Sequence, residues 1–137
     1  MATLVTPTNL QKVEYDVTTA EVAARVTVVT GTLPFVFEAI SQGSTSTQSI
    51  SLKAHVDPAL TPGRFRRSTA TASLAGTFQF AQTPSNAQWT IDDAQATFDD
   101  ESGQVQLVVD VTVLASGANT QVGFTSIMFQ VTTLAII

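Results

Sequence analysis

The chain has 137 residues, with 6 basic and 11 acidic side chains, one histidine, no cysteine and a formal net charge of -5. That size fits one domain, the acidic balance argues against a grip on duplex nucleic acid, and the lack of cysteine excludes disulfides and thiolate metal sites. Only 12% of residues are charged, about half the usual ~25%, and 22 Thr, 11 Ser and 11 Gln take over the polar role.

The first residues, Met1 to Pro7, lack the basic and apolar regions of a secretory signal, which predicts cytoplasmic synthesis or a processed form. No apolar run reaches the ~18 residues of a spanning helix. From Leu10 onward the dominant period is two. Val13-Tyr15-Val17 alternate with Lys12, Glu14 and Asp16, and Ile50-Leu52-Ala54-Val56 alternate with Ser51, Lys53 and His55. Val105-Leu107-Val109-Val111-Val113 form the longest apolar stripe. Alternation of this kind puts one face on a core and the other toward solvent, and the richness in Thr, Val and Phe favours strands.

Strands are predicted over residues 10–17, 22–30, 33–41, 47–57, 68–81, 88–98, 104–115 and 121–134. Turn chemistry separates them, at Ser41-Gln42-Gly43-Ser44, Asp57-Pro58 through Pro62-Gly63, Pro84-Ser85-Asn86, Asp99 through Gly103, and Ser116-Gly117-Ala118-Asn119. One segment competes. Thr18-Thr19-Ala20-Glu21 has the spacing of a capping box, so a short helix over 18–25 is the alternative to a strand there. The expected architecture is all-β: an antiparallel sandwich or jelly-roll-like barrel of about eight strands, one domain over residues 1–137.

Candidate chemistry follows the same order. His55 with Asp57 raises a Ser-His-Asp arrangement, but alternation places it on a polar strand face and no Gly-x-Ser-x-Gly elbow supports a hydrolase. Arg64-Phe65-Arg66-Arg67 holds three of the six positive charges and suits an acidic protein surface better than a single nucleic-acid strand. Sugar recognition wants an exposed aromatic platform, for which Tyr15, Phe65 and Trp89 are the ready residues, although Trp89 alternates with Ile91 as a core residue does. Six of the eleven acids lie between Asp92 and Asp110. The Asp92-Asp93 pair and the Asp99-Asp100-Glu101 turn raise Ca²⁺ binding or paired-acid catalysis, yet the spacing is not that of a calcium loop. Asp110 interrupts the apolar run Val108-Val109-Asp110-Val111, where a covering subunit would have to supply an arginine.

The neutral stretches are the most informative feature. Ser68 to Ile91 and Val111 to Ile137 contain no titrating side chain, although exposed sheet edges are normally guarded by charge or proline. Either these strands are central or another chain covers them. The apolar Leu134, Ile136 and Ile137 favour docking on a neighbour. The expected function is therefore that of a non-enzymatic, self-associating structural protein without cofactor or metal, such as a virion decoration, capsid or tail component. Interface residues would be Arg64, Phe65, Arg66, Arg67, Asp110, Leu134, Ile136 and Ile137. The alternative is a carbohydrate- or other ligand-binding sandwich, with or without calcium.

Overall fold

The computed structural model describes residues 2–81 and 85–137, except the side chains of Asp57 and Pro58. Its strands are β1 (Thr3–Leu4), β2 (Thr8–Thr18), β3 (Ala23–Ser41), β4 (Ser46–Ala59), β5 (Phe65–Ala75), β6 (Phe78–Phe80), β7 (Asn86–Asp99), β8 (Gln104–Ser116) and β9 (Thr120–Ile136). They form a β-sandwich. One sheet has the order β1-β4-β8-β7; the other has the order β2-β3-β9-β5, with β6 also on β9. All pairings are antiparallel except β1 with β4. Among the described residues there is no helix, and so none long and apolar enough to cross a membrane.

The core lies between the sheets, where the alternation sends the apolar stripes. Val105, Leu107, Val109, Val111 and Val113 of β8 are fully buried, facing Val29 and Leu33 of β3 and Phe124, Ile127 and Val131 of β9 in one cluster. Each such side chain contributes about 1.5–3 kcal/mol on leaving water. Trp89 of β7 packs on this cluster, as its alternation with Ile91 implies, and its indole N–H donates to the Gly123 carbonyl at 2.8 Å.

β1 (Thr3–Leu4) lies outside every predicted strand, and the other strand boundaries differ from the sequence expectation chiefly in three places. Residues 22–30 and 33–41 are not two strands but parts of the single β3. Gly31, which suggests a break, is needed because a Cβ there would meet Leu10 Cδ2 at 2.8 Å and the Phe129 ring at 2.9 Å. Pro34 is tolerated because β2 pairs only as far as Thr32, so β3 has an unpartnered side beyond it. Residues 68–81 divide into β5 and β6 at Gly76, whose φ is 64° and whose carbonyl accepts the Thr125 N–H at 3.2 Å. Finally, the capping-box segment is a tight hairpin turn. The Thr19 N–H donates to the Val22 carbonyl at 2.9 Å, and the Val22 N–H donates to Thr19 Oγ1 at 3.1 Å. The turn expected at Pro84-Ser85-Asn86 lies partly outside the described residues.

The neutral stretches find two different places. Most of 111–137 lies in β8 and β9, each central in its sheet. Most of 68–91 lies in β5, β6 and β7, at the sheet edges. Those edges close on each other: the Ser68 hydroxyl of β5 donates to the Ala96 carbonyl of β7, and the Phe65 and Phe98 rings stack at 5.5 Å. The opposite edge is open. β2 packs on β3, and all 11 of its residues are exposed.

Candidate functional site

The open edge exposes an unusual face because of the register between β2 and β3. Lys12 lies opposite Val29, Glu14 opposite Thr27 and Asp16 opposite Arg25. Val29 and Thr27 are buried on the core side, so the charges of β2 also turn to that side. Val13, Tyr15 and Val17, opposite Val28, Val26 and Ala24, therefore point outward. Val13 is 61% exposed and Tyr15 is 53% exposed. A slip of one residue would exchange the two sets. Arg25 prevents it by donating from Nε to Asp16 Oδ1 at 2.8 Å and from Nη2 to Asp16 Oδ2 at 3.3 Å. The same pairing holds the Asp16 carboxyl below its ordinary range and raises the Arg25 guanidinium.

The outer face of the five-stranded sheet continues from there. Leu134 of β9 lies beside Val26, Gln130 beside Thr30, and Met128 beside Thr32. On the far side of β9, Arg67, Thr71 and Ser73 of β5 complete the same rows. A shallow groove of about 550 Å³ crosses the middle of this face, lined by Asn9, Gln11, Thr30, Thr71, Ser73 and Gln130 together with the apolar surface of Met128, Phe129 and Ala72. Alternation places Arg67 on the face at one end of β5 and Glu38 toward the other end of β3, and the exposed Arg66 sits in the bulge beside Arg67. Glu38 accepts a hydrogen bond from the Gln121 amide.

The outer face of the four-stranded sheet has the opposite character. It carries Lys53 and His55 on β4, Asp110 on β8, and Asp92 and Asp93 on β7. Asp110 is half-buried between its register neighbours Ser51 and Asp93, and no arginine pairs with it among the described residues. The Thr112 hydroxyl donates to Asp92 Oδ2, which leaves Ser49 to donate to Thr112 at 2.9 Å. Among the described residues, no three of His, Cys, Asp and Glu gather closely enough to hold a metal ion.

His55 is paired with Asp99, across the strands, at 3.3 Å from Nε2 to Oδ2. The side chain of Asp57 lies outside the described set. The Ser102 hydroxyl donates to the same Asp99 Oδ2 at 2.8 Å, and the Glu101 N–H donates to Oδ1 at 3.2 Å. The carboxylate thus stands between serine and histidine. In a nucleophilic triad the histidine stands between, because it must take the hydroxyl proton. Here the Asp99-to-Gly103 segment is a hairpin turn, closed by the Gly103 N–H on the Asp99 carbonyl at 2.9 Å with Gly103 at φ 70°.

The expected interface residues fall into three places. Arg64, Arg66 and Arg67 are exposed, and none forms an ion pair among the described residues. Arg66 folds back to donate to the carbonyls of Gly63 at 2.6 Å and Phe65 at 3.0 Å. Phe65 is taken up by its stack on Phe98. Leu134 and Ile136 lie on the outer face of the central strand β9. Ile137 lines a second pocket of about 350 Å³ with Lys12, Glu14, Arg25 and Arg64, at the mouth under β2. Asp110 is on the other sheet, away from all of these. Sequence reasoning missed Val13 and Val17 as surface residues, and singled out Tyr15 only among the aromatics ready for an exposed platform. Their alternation was legible, but alternation does not say which side of a strand meets the core.

A scan against protein-family models, a search of curated protein sequences and a search of solved structures each find no match for this chain.

Proposed function

We propose that this chain is a structural assembly domain, a β-sandwich that associates with copies of itself through its neutral sheet face. The observation that carries this reading is the inverted edge strand. β2 turns Lys12, Glu14 and Asp16 to the core side and leaves Val13, Tyr15 and Val17 in water. A lone sandwich gains nothing from that arrangement, because exposing an apolar row forgoes about 25 cal/mol per Å². A covered face recovers it. The Thr and Gln side chains around the groove suit such a cover, since neutral groups are cheaper to desolvate than charges. A virion shell or tail, built from many copies, is one setting for a domain of this kind.

Sedimentation velocity over a wide range of concentrations tests the reading. Association that strengthens with concentration is expected; a monomer at every concentration reached would overturn it.

The groove also favours a second reading. Its uncharged lining sets amides and hydroxyls beside the apolar surface of Met128, a combination that suits a neutral polyol such as a carbohydrate. A glycan array tests this directly. A glycan that binds in the groove and is displaced by Gln130→Ala supports the sugar-binding reading, and an array without binders counts against it.

A further inference from the structure

We infer that the pocket of about 350 Å³ under β2 binds a small organic carboxylate, with its charged end on Arg64, its apolar body against Leu60, Ala135 and Ile137, and an acceptor oxygen at its far end. The pocket lies on the inner side of β2, away from the outer sheet face, so the inference stands apart from self-association.

The charge of the ligand follows from how the lining residues pair. Lys12, Arg25 and Arg64 are three of the six basic residues of an acidic chain, and Glu14 is the one acid among the described residues that line the pocket. Lys12 lies 3.0 Å from Glu14 Oε1, and Arg25 is shared between Glu14 at 3.5 Å and Asp16 at 2.8 Å. Those two cations and two acids neutralise one another. Arg64 remains. Among the described residues its guanidinium makes no ion pair and no hydrogen bond. A guanidinium presents a planar fork of donors that matches a carboxylate with two parallel bonds. Its neighbours are not equivalent: Arg66 donates to the carbonyls of Gly63 and Phe65, and Arg67 lies on the outer face.

The backbone holds this arginine in place. The Arg64 N–H donates to the Thr61 carbonyl at 3.1 Å, and the Arg64 carbonyl accepts the Ile136 N–H at 2.8 Å. The Ile137 N–H donates to the Ala23 carbonyl at 3.2 Å, which ties the apolar wall to β3. A site built on such fixed segments needs little ordering when a ligand enters. Its volume is in the range of small-molecule pockets, and the apolar wall gives a carbon chain somewhere to lie.

The inner end supplies an independent observation. Thr27 lines the pocket, and its register neighbour Thr133, only 1% exposed, has a hydroxyl with no hydrogen-bond partner. Thr133 is also two residues from Ala135, another lining residue on the same side of β9. A buried hydroxyl without a partner costs the fold stability, and a ligand oxygen beside Thr27 would accept its proton. Ile136, bonded to Arg64, is three residues along β9 from Thr133, or roughly 10 Å at ~3.3 Å per residue. A short-chain acid carrying a second oxygen spans such a gap with the help of the long arginine side chain.

Titration of the isotope-labelled protein at constant ionic strength, followed by its amide shifts, tests the assignment with hexanoate, ω-hydroxyhexanoate, hexanamide and inorganic phosphate. Saturable shifts at Thr27, Leu60, Arg64 and Ile137 are expected with the two acids and not with hexanamide, and the hydroxy acid is expected to bind more tightly. Arg64→Gln should weaken both acids about tenfold or more, whereas Arg66→Gln should leave them unchanged. Thr133→Val should remove the advantage of the hydroxy acid and Thr133→Ser should keep it, with unchanged circular dichroism in both. No saturation, or binding that survives Arg64→Gln, overturns the inference. Hexanamide binding as tightly as hexanoate would make this a plain apolar pocket, and phosphate binding as tightly would make it a general oxyanion site; either result overturns it. A hydroxy acid that keeps its advantage in Thr133→Val overturns the inner contact.

Discussion

Asp16 and Arg25 face each other across the β2–β3 ladder, joined by two hydrogen bonds on the core side of the sheet. Their pairing fixes which side of β2 is apolar to the outside. Reversing one charge, Arg25→Asp, puts three carboxylates together, since Glu14 also lies 3.5 Å from the Arg25 Nε. β2 is then expected to fray while the central strands hold. Hydrogen exchange should show faster exchange at residues 12–17 with β8 and β9 still protected, and Asp16→Arg combined with Arg25→Asp should restore protection. Equal exchange in all three proteins would mean that the hairpin turn alone sets the register.

Gly76 and Gly43 both have positive φ, of 64° and 120°, but they differ in what surrounds them. A Cβ at Gly43 meets nothing within 4 Å, whereas one at Gly76 would lie 2.0 Å from Thr125 Oγ1. Gly43→Ala should therefore cost only the backbone term, about 1–2 kcal/mol. Gly76→Ala should lose about 1–3 kcal/mol more from crowding where β5 hands over to β6. Urea unfolding measures both, and Thr125→Ala should recover the crowding part in the Gly76→Ala background.

Asp99 is held below the ordinary carboxylate range, chiefly by the Ser102 hydroxyl and further by the Glu101 N–H and His55, with burial opposing. A carboxyl whose folded pKa lies below its unfolded one stabilises the fold above the unfolded value. It loses that contribution as pH falls through the folded pKa. The turn should thus contribute fully above about pH 5 and progressively less below about pH 4. The gap in urea midpoint between the parent and Asp99→Asn is expected to narrow from pH 7 to pH 3. A gap that does not change with pH would show that the ionised form carries no part of the stability.

Much of this was legible in the residues themselves, and the rest was not, for physical reasons. The stripe from Val105 to Val113 reads as a strand because burial on one face imposes a period of two, and β8 keeps that alternation throughout. Thr18-Thr19-Ala20-Glu21 is ambiguous because a threonine hydroxyl satisfies a free N–H equally in a helix cap and in a tight turn. Gly31 carries the composition of a break, yet its reason is the Phe129 ring on the neighbouring strand, which local sequence does not contain. The pairing of His55 with Asp99 rather than a near neighbour depends on register across three strands. The neutral stretches announced strands without guarding charges. They did not announce that the Ser68 edge would close against Ala96, or that the open edge would be the charged segment 8–18.

The two outer faces can be told apart by a single lysine on each. Leu134 lies on the outer face of the five-stranded sheet, and Val108 on that of the four-stranded sheet, in register with Lys53 and Gln95. Both are apolar positions in central strands with partly exposed side chains, so Leu134→Lys and Val108→Lys should perturb folding to a similar, small extent. Their effect on association should differ. A lysine at 134 places an unpaired charge in a covered apolar region, which costs far more than the same charge in water, and association should fall about tenfold or more. A lysine at 108 joins an already charged surface and should leave association as it was. Sedimentation velocity on the two variants, with thermal melts as the control for folding, decides the point. If Val108→Lys dissociates the assembly and Leu134→Lys does not, the charged face with Asp92, Asp93 and Asp110 is the one that meets another chain.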